Sequence, residues 1–182
     1  MSLIRLFREN PEYLRAAVYG ANDGLVTTFA VVAGAAGAEL SAAVVLILGG
    51  SNVIADGLSM ALGDFLGEHS ERKLDPAEAT EFPIWHTGFI TFVCFFLAGL
   101  LPLFPYLWAL VCGSECMSIQ VKQLFPWSAL TTAVAMFIIG SVRSLVTRDS
   151  WWKNGLEMLG VGAIAATVAY FAGAVIEELL IG

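Results

Sequence analysis

The stretch from Ala42 to Glu71, AAVVLILGGSNVIADGLSMALGDFLGEHSE, constrains the fold more than any other part of the chain. It opens as an apolar helix of membrane-spanning length. It then carries Asn52, Asp56, Ser59, Met60 and Asp64 at the depth where a lipid-facing helix would be most apolar. Asn52, Asp56, Met60 and Asp64 are spaced four apart, which on an α-helix makes one slowly drifting stripe. An ionised Asp near the bilayer centre costs about 2.5–3.5 kcal/mol on insertion scales. Something must offset that cost, and a cation between carboxylates is the simplest candidate.

The remaining sequence places this stretch in an all-α integral membrane protein. Of 182 residues 58% are hydrophobic and only 14% charged, against about a quarter charged in soluble domains, so no separate soluble domain is expected. Five spans are read at about 16–37, 42–66, 84–112, 125–146 and 156–181, in a single transmembrane domain covering 1–182. Residues 1–15 resemble a short interfacial helix, and Asn10-Pro11-Glu12 has the form of a helix start. Pro102 and Pro105 predict a kink or unwinding near the far end of the third span. Arg5, Arg8, Arg15, Arg72, Lys73, Arg143, Arg148 and Lys153 fall on the side of the N-terminus, and Lys122 alone on the other. That asymmetry predicts a cytoplasmic N-terminus and a C-terminus on the opposite side. The net charge of −7 leaves no basic surface for nucleic acid, so the expected surroundings are a lipid bilayer.

The first span adds a second intramembrane acid, Asp23. It lies seven residues in from Ala16, and Met60 lies six in from Leu66, so both sit roughly 10 Å deep, with Asp56 nearer ~15 Å. A carboxylate from each helix and a thioether can therefore meet at one level. Carboxylates alone suit protons, Na⁺, Mg²⁺ or Ca²⁺; a soft sulfur moves the preference to a transition metal. Without a cysteine in these two spans, Fe²⁺ or Mn²⁺ fits best. A lone Met is more often packing filler, and its place on the acidic stripe is what distinguishes Met60. The candidate metal ligands are Asp23, Met60, Asp56 and Asn52, with Asp64, Glu68 and Glu71 towards the mouth of the second span. Glu68 and Glu71 belong to a short acidic connection whose plainer reading is a solvated face. Catalytic residues and bound cofactors are not expected. Two helices supply too few donors to surround a divalent ion, which predicts a homodimer with two copies of Asp23 and Met60 face to face.

YGANDGLVTTFAVVAGAAGA, ADGLSMALGDFL, LAGLLPLFPYL and AATVAYFAGAV together resemble the vacuolar iron transporter family, over nearly the whole chain from Ala16 onwards. The resemblance implies a five-span homodimer with the metal path between subunits, and Fe²⁺, often also Mn²⁺, moved out of the cytoplasm in exchange for protons. It puts the family's first-span aspartate on Asp23 and its second-span methionine on Met60. The long glutamate-rich domain of plant and yeast relatives is reduced here to a connection bearing Glu68, His69, Glu71, Asp75, Glu78 and Glu81. The competing functions are a non-transporting accessory or packing subunit and, behind it, a membrane-embedded metal-binding enzyme. A bacterial inner membrane is the expected location, with a vacuole-type membrane as the alternative.

Overall fold

The computed structural model describes residues 11–74, 83–112, 121–147 and 150–181. Among the described residues five helices follow one another: α1 (Pro11–Gly37), α2 (Ala42–Leu74), α3 (Trp85–Cys112), α4 (Val121–Thr147) and α5 (Trp151–Ile181). Each contains a stretch long and apolar enough to cross a membrane, and no strand occurs among the described residues. The chain is a multi-pass, all-α membrane protein. The expected interfacial helix at 1–15 falls partly outside the described residues; Pro11 to Arg15 are the opening of α1 itself.

α1, α3 and α5 begin on one face of the bundle, where α2 and α4 end, and Arg15, Arg72, Lys73, Arg143 and Lys153 gather there. Lys122 sits on the other face, ion-paired with Glu39 in the turn between α1 and α2. That turn closes α1 with a Schellman arrangement, Leu40 N–H to Ala35 C=O at 3.0 Å and Glu39 N–H to Ala36 C=O at 3.4 Å. Glu39 takes the left-handed position (φ 52°) more often held by glycine. Trp85, Trp108, Trp127, Trp151 and Trp152 are all exposed at or near helix ends, as an aromatic belt requires.

α1 is the central helix. It packs on α3, α5, α4 and, less extensively, α2. Lipid offers little hydrophobic drive for helices to associate, so close van der Waals contact must do it, and small residues make room. A Cβ on Gly24 would collide with the Phe95 backbone of α3, and one on Gly173 of α5 with the Gly34 backbone of α1. Leu25, Phe29, Val32, Ala33 and Ala36 line the buried faces of α1.

α3 remains helical from Trp85 to Cys112, so the unwinding expected at Pro102 and Pro105 does not occur. Pro105 has no N–H for the Leu101 carbonyl four residues back. The Thr131 hydroxyl of α4 lies 3.4 Å from that carbonyl, and Ser128 of α4 donates to the neighbouring Pro102 carbonyl at 2.6 Å. Side chains of an adjacent helix thus solvate the backbone that the prolines disturb, as a bilayer demands.

Candidate ion site at the α1–α2 seam

Successive residues of the stripe advance about 40° around α2, since four residues exceed one turn by that angle. The stripe therefore sweeps across the covered side of the helix, and Asn52, Asp56, Met60, Asp64 and Glu68 are all half-buried. α3 packs against a neighbouring row: a Cβ on Gly49 would meet Leu103, one on Gly57 would meet Phe92 and Phe95, and Gly88 approaches the Ala61 backbone. Beyond the stripe, α2 is open. Leu48, Ala55, Ser59 and Leu66 are exposed on the side away from α3, and Ile54, Leu58 and Leu62 further round.

Asp23 is half-buried on α1, as Asp56 is on α2, the helix packed beside it. Thr27, one turn on, bonds the Asp23 backbone carbonyl at 2.7 Å and so is not spent on the carboxylate. The Asn52 side-chain nitrogen is buried with no hydrogen-bond partner among the described residues. Asp64 accepts a hydrogen bond from the hydroxyl of Thr91, a fully buried residue of α3. Thr91 escaped sequence reasoning because nothing in its span marks it apart from ordinary helix packing.

On the basic face the acids converge on a narrow crevice of about 90 Å³ between α1, α2 and α3. Asp64, Glu68 and Glu71 line it from α2, with Glu12 and Arg15 from α1. Glu68 also holds Arg72 at 2.9 Å. Glu12 reads in the sequence as a first-turn helix acid, and only the fold brings it to this mouth. Four carboxylates line it against Arg15 and the Arg72 that Glu68 holds, so the crevice stays acidic and attracts cations. Among the described residues no three His, Cys, Asp or Glu side chains of one chain come close enough together to enclose a metal ion. His86 faces the Tyr13 hydroxyl at 3.2 Å, and His69 stacks on Phe65, so both histidines have structural neighbours. Cys94 is half-buried on α3 and Cys112 is exposed; Cys116 and the acids at 75, 78 and 81 lie outside the described residues.

Five apolar spans, with acids on two adjoining helices and an acidic mouth above them, define a polytopic membrane protein built around intramembrane carboxylates. The VIT family model matches residues 14–83 and 73–174, and the chain belongs to that family. Among its relatives, the vacuolar iron transporter of Toxoplasma gondii is 24% identical over 94% of this chain and 76% of its own length. Vacuolar iron transporter 1 of Eucalyptus grandis is 25% identical over 87% of this chain and 84% of its own. Vacuolar iron transporter homolog 4 of Arabidopsis thaliana is 33% identical over 40% of this chain and 36% of its own. The family match divides within residues 73–83, at the connection between α2 and α3. The alignment to the Toxoplasma protein extends over 234 residues, so relatives carry segments that this 182-residue chain lacks.

Proposed function

We propose that this protein carries Fe²⁺, and with it Mn²⁺, across a membrane in exchange for protons, along a path between two copies of the chain. The observation that carries the reading is the seam itself: Asp23 on α1 and Asp56 on α2 are half-buried carboxylates on two spanning helices that pack together, in a member of the VIT family. Two carboxylates left together at such depth repel, and a divalent cation or a proton relieves the repulsion. Metal and protons thus compete for the same oxygens, which is the chemical basis for exchange.

The acidic crevice of Glu12, Asp64, Glu68 and Glu71 gathers the cation from the basic face, which we assign to the cytoplasm from the distribution of Arg and Lys. From there it descends along the stripe to Asp56, Met60 and Asp23. One chain contributes too few donors there. A second copy, docked on the open side of α2, supplies the other half of the coordination shell, with Asn52 facing the same seam. A bacterial inner membrane is the location we favour.

The test is Fe²⁺ flux into proteoliposomes under a pH gradient. Asp23→Ala and Met60→Ala are each expected to cripple flux while the protein still elutes as a folded species. Wild-type flux in both variants would overturn the assignment.

A further inference from the structure

A crevice wider than the acidic one plays no part in this path. It occupies about 680 Å³ between the start of α1, the end of α4 and the start of α5, and shares Arg15 and Tyr19 with the acidic crevice. Along α1 its wall runs from Leu14 to Asn22, a depth of roughly 12 Å at 1.5 Å per residue. Chemistry changes along that depth. Arg15, Arg143 and Glu157 stand at the outer end, whereas Val18, Met158 and Val161 form the inner walls, with Asn22 at the bottom. A second hollow of about 420 Å³ shares Arg143 and Glu157 and adds Lys153, Ser150 and Asn154. Glu157 lies 3.6 Å from Arg143, and Lys153 rests over the Trp152 ring, 5.7 Å from its centroid. Arg143 and Lys153 thus meet Glu157 among the described lining residues, directly above apolar walls, and Arg15 is shared with the acidic crevice. Tyr19 and Val161, on opposite lips, are more than half exposed, so the slot opens sideways on the outer surface of the single chain.

From this we infer that the α1–α4–α5 crevice is a binding site for an anionic phospholipid. Its headgroup phosphate is held by Arg143 and Lys153, and an acyl chain lies along Val18, Met158 and Val161. Guanidinium groups match phosphate with paired N–H donors, and Lys supplies a point charge. Basic pockets between spanning helices are where anionic headgroups bind. A free phosphate would satisfy the cations but leave the apolar walls uncovered, whereas a zwitterionic lipid would fill the walls but bring its own cation to Arg143. The inference rests on the membrane-spanning fold and not on which ion is carried.

The experiment uses the purified full chain in detergent, with lipid retention read by native mass spectrometry and unfolding temperature measured alongside. Phosphatidylglycerol is expected to remain bound and to raise the unfolding temperature, whereas phosphatidylcholine of the same acyl chains does neither. Lys153→Gln and Arg143→Gln should each weaken retention roughly fivefold, the worth of one cation near a membrane surface. Lys153 is exposed, so its substitution leaves the fold intact should Arg143→Gln unfold. Glu157→Gln should retain the lipid at least as well as wild type. Equal retention of the two lipids would overturn the site, as would the same stabilisation by inorganic phosphate alone. An equal loss in Lys73→Gln, a cation on the same face but outside the crevice, would show diffuse attraction and overturn it too.

Discussion

Thr91 of α3 donates its hydroxyl hydrogen to the Asp64 carboxylate of α2, tying the acidic stripe to the helix that packs deepest against α1. Thr91 is fully buried and Asp64 half-buried, so this bond works at low dielectric, where charge-assisted hydrogen bonds are strong. Thr91→Val keeps the shape and removes the donor. It is expected to cost about 1–3 kcal/mol of stability. Adding Asp64→Asn to the Thr91→Val variant should recover part of that loss, because the neutral amide tolerates a missing donor better than the charge does. Denaturant unfolding of both singles and the double checks this; additive losses would mean the two side chains are not coupled.

The five spans were legible because each is an apolar run long enough to cross a bilayer, and length and composition alone decide that. The stripe was legible because a period of four on a helix selects one face, whatever the fold around it. What covers that face was not. A small residue such as Gly24 suits close packing but cannot name Phe95 as the backbone it meets. The same limit explains α3. Read within its own span, Pro102-Leu-Phe-Pro105 signals a kink or unwinding; the hydroxyls of Ser128 and Thr131 that support the continuous helix come from another helix. Glu12 was hidden for the converse reason, since a local role as a helix-start acid already accounts for it.

Glycine substitutions should divide by what lies opposite. Gly173→Ala forces a methyl into the Gly34 backbone, where no flexible side chain can yield, so α1 and α5 must part. Loss of about 1–3 kcal/mol is the usual cost of such overpacking. Gly160→Ala, on the same helix with nothing within 4 Å of its new Cβ, should be neutral or gain a few tenths from helix propensity. Thermal unfolding of the two variants in one detergent tests the contrast, and equal unfolding temperatures would refute close α1–α5 contact.

Ser128→Ala removes the donor to the buried Pro102 carbonyl and leaves that oxygen dependent on its own helix. A loss of about 1–2 kcal/mol is expected. Tyr106→Phe is the matched opposite. Tyr106 is fully buried on α3 and its hydroxyl has no partner among the described residues, so removing the oxygen should leave stability unchanged or slightly raised. If Tyr106→Phe costs more than Ser128→Ala, the hydroxyl has a partner the bundle does not yet reveal.

The proposed pairing of two copies is open to a direct measurement on α2. Its open side has two rows: Ser59 adjoins Asp56 and Met60 on the side away from α3, whereas Ile54 is turned some 140° from Ser59 about the helix axis. Both residues are exposed in the single chain, so exposure cannot say which row meets a second copy. The ion path can: donors from two subunits converge only if the row next to the stripe lies at the two-fold axis. With Cys94, Cys112 and Cys116 replaced by Ala, Ser59→Cys in native membranes should form a covalent dimer on mild oxidation, and added Fe²⁺ should change its yield. Ile54→Cys should remain monomeric on denaturing gels. The reverse pattern would put the stripe on the outside of any dimer and remove the shared coordination shell on which the proposed path depends.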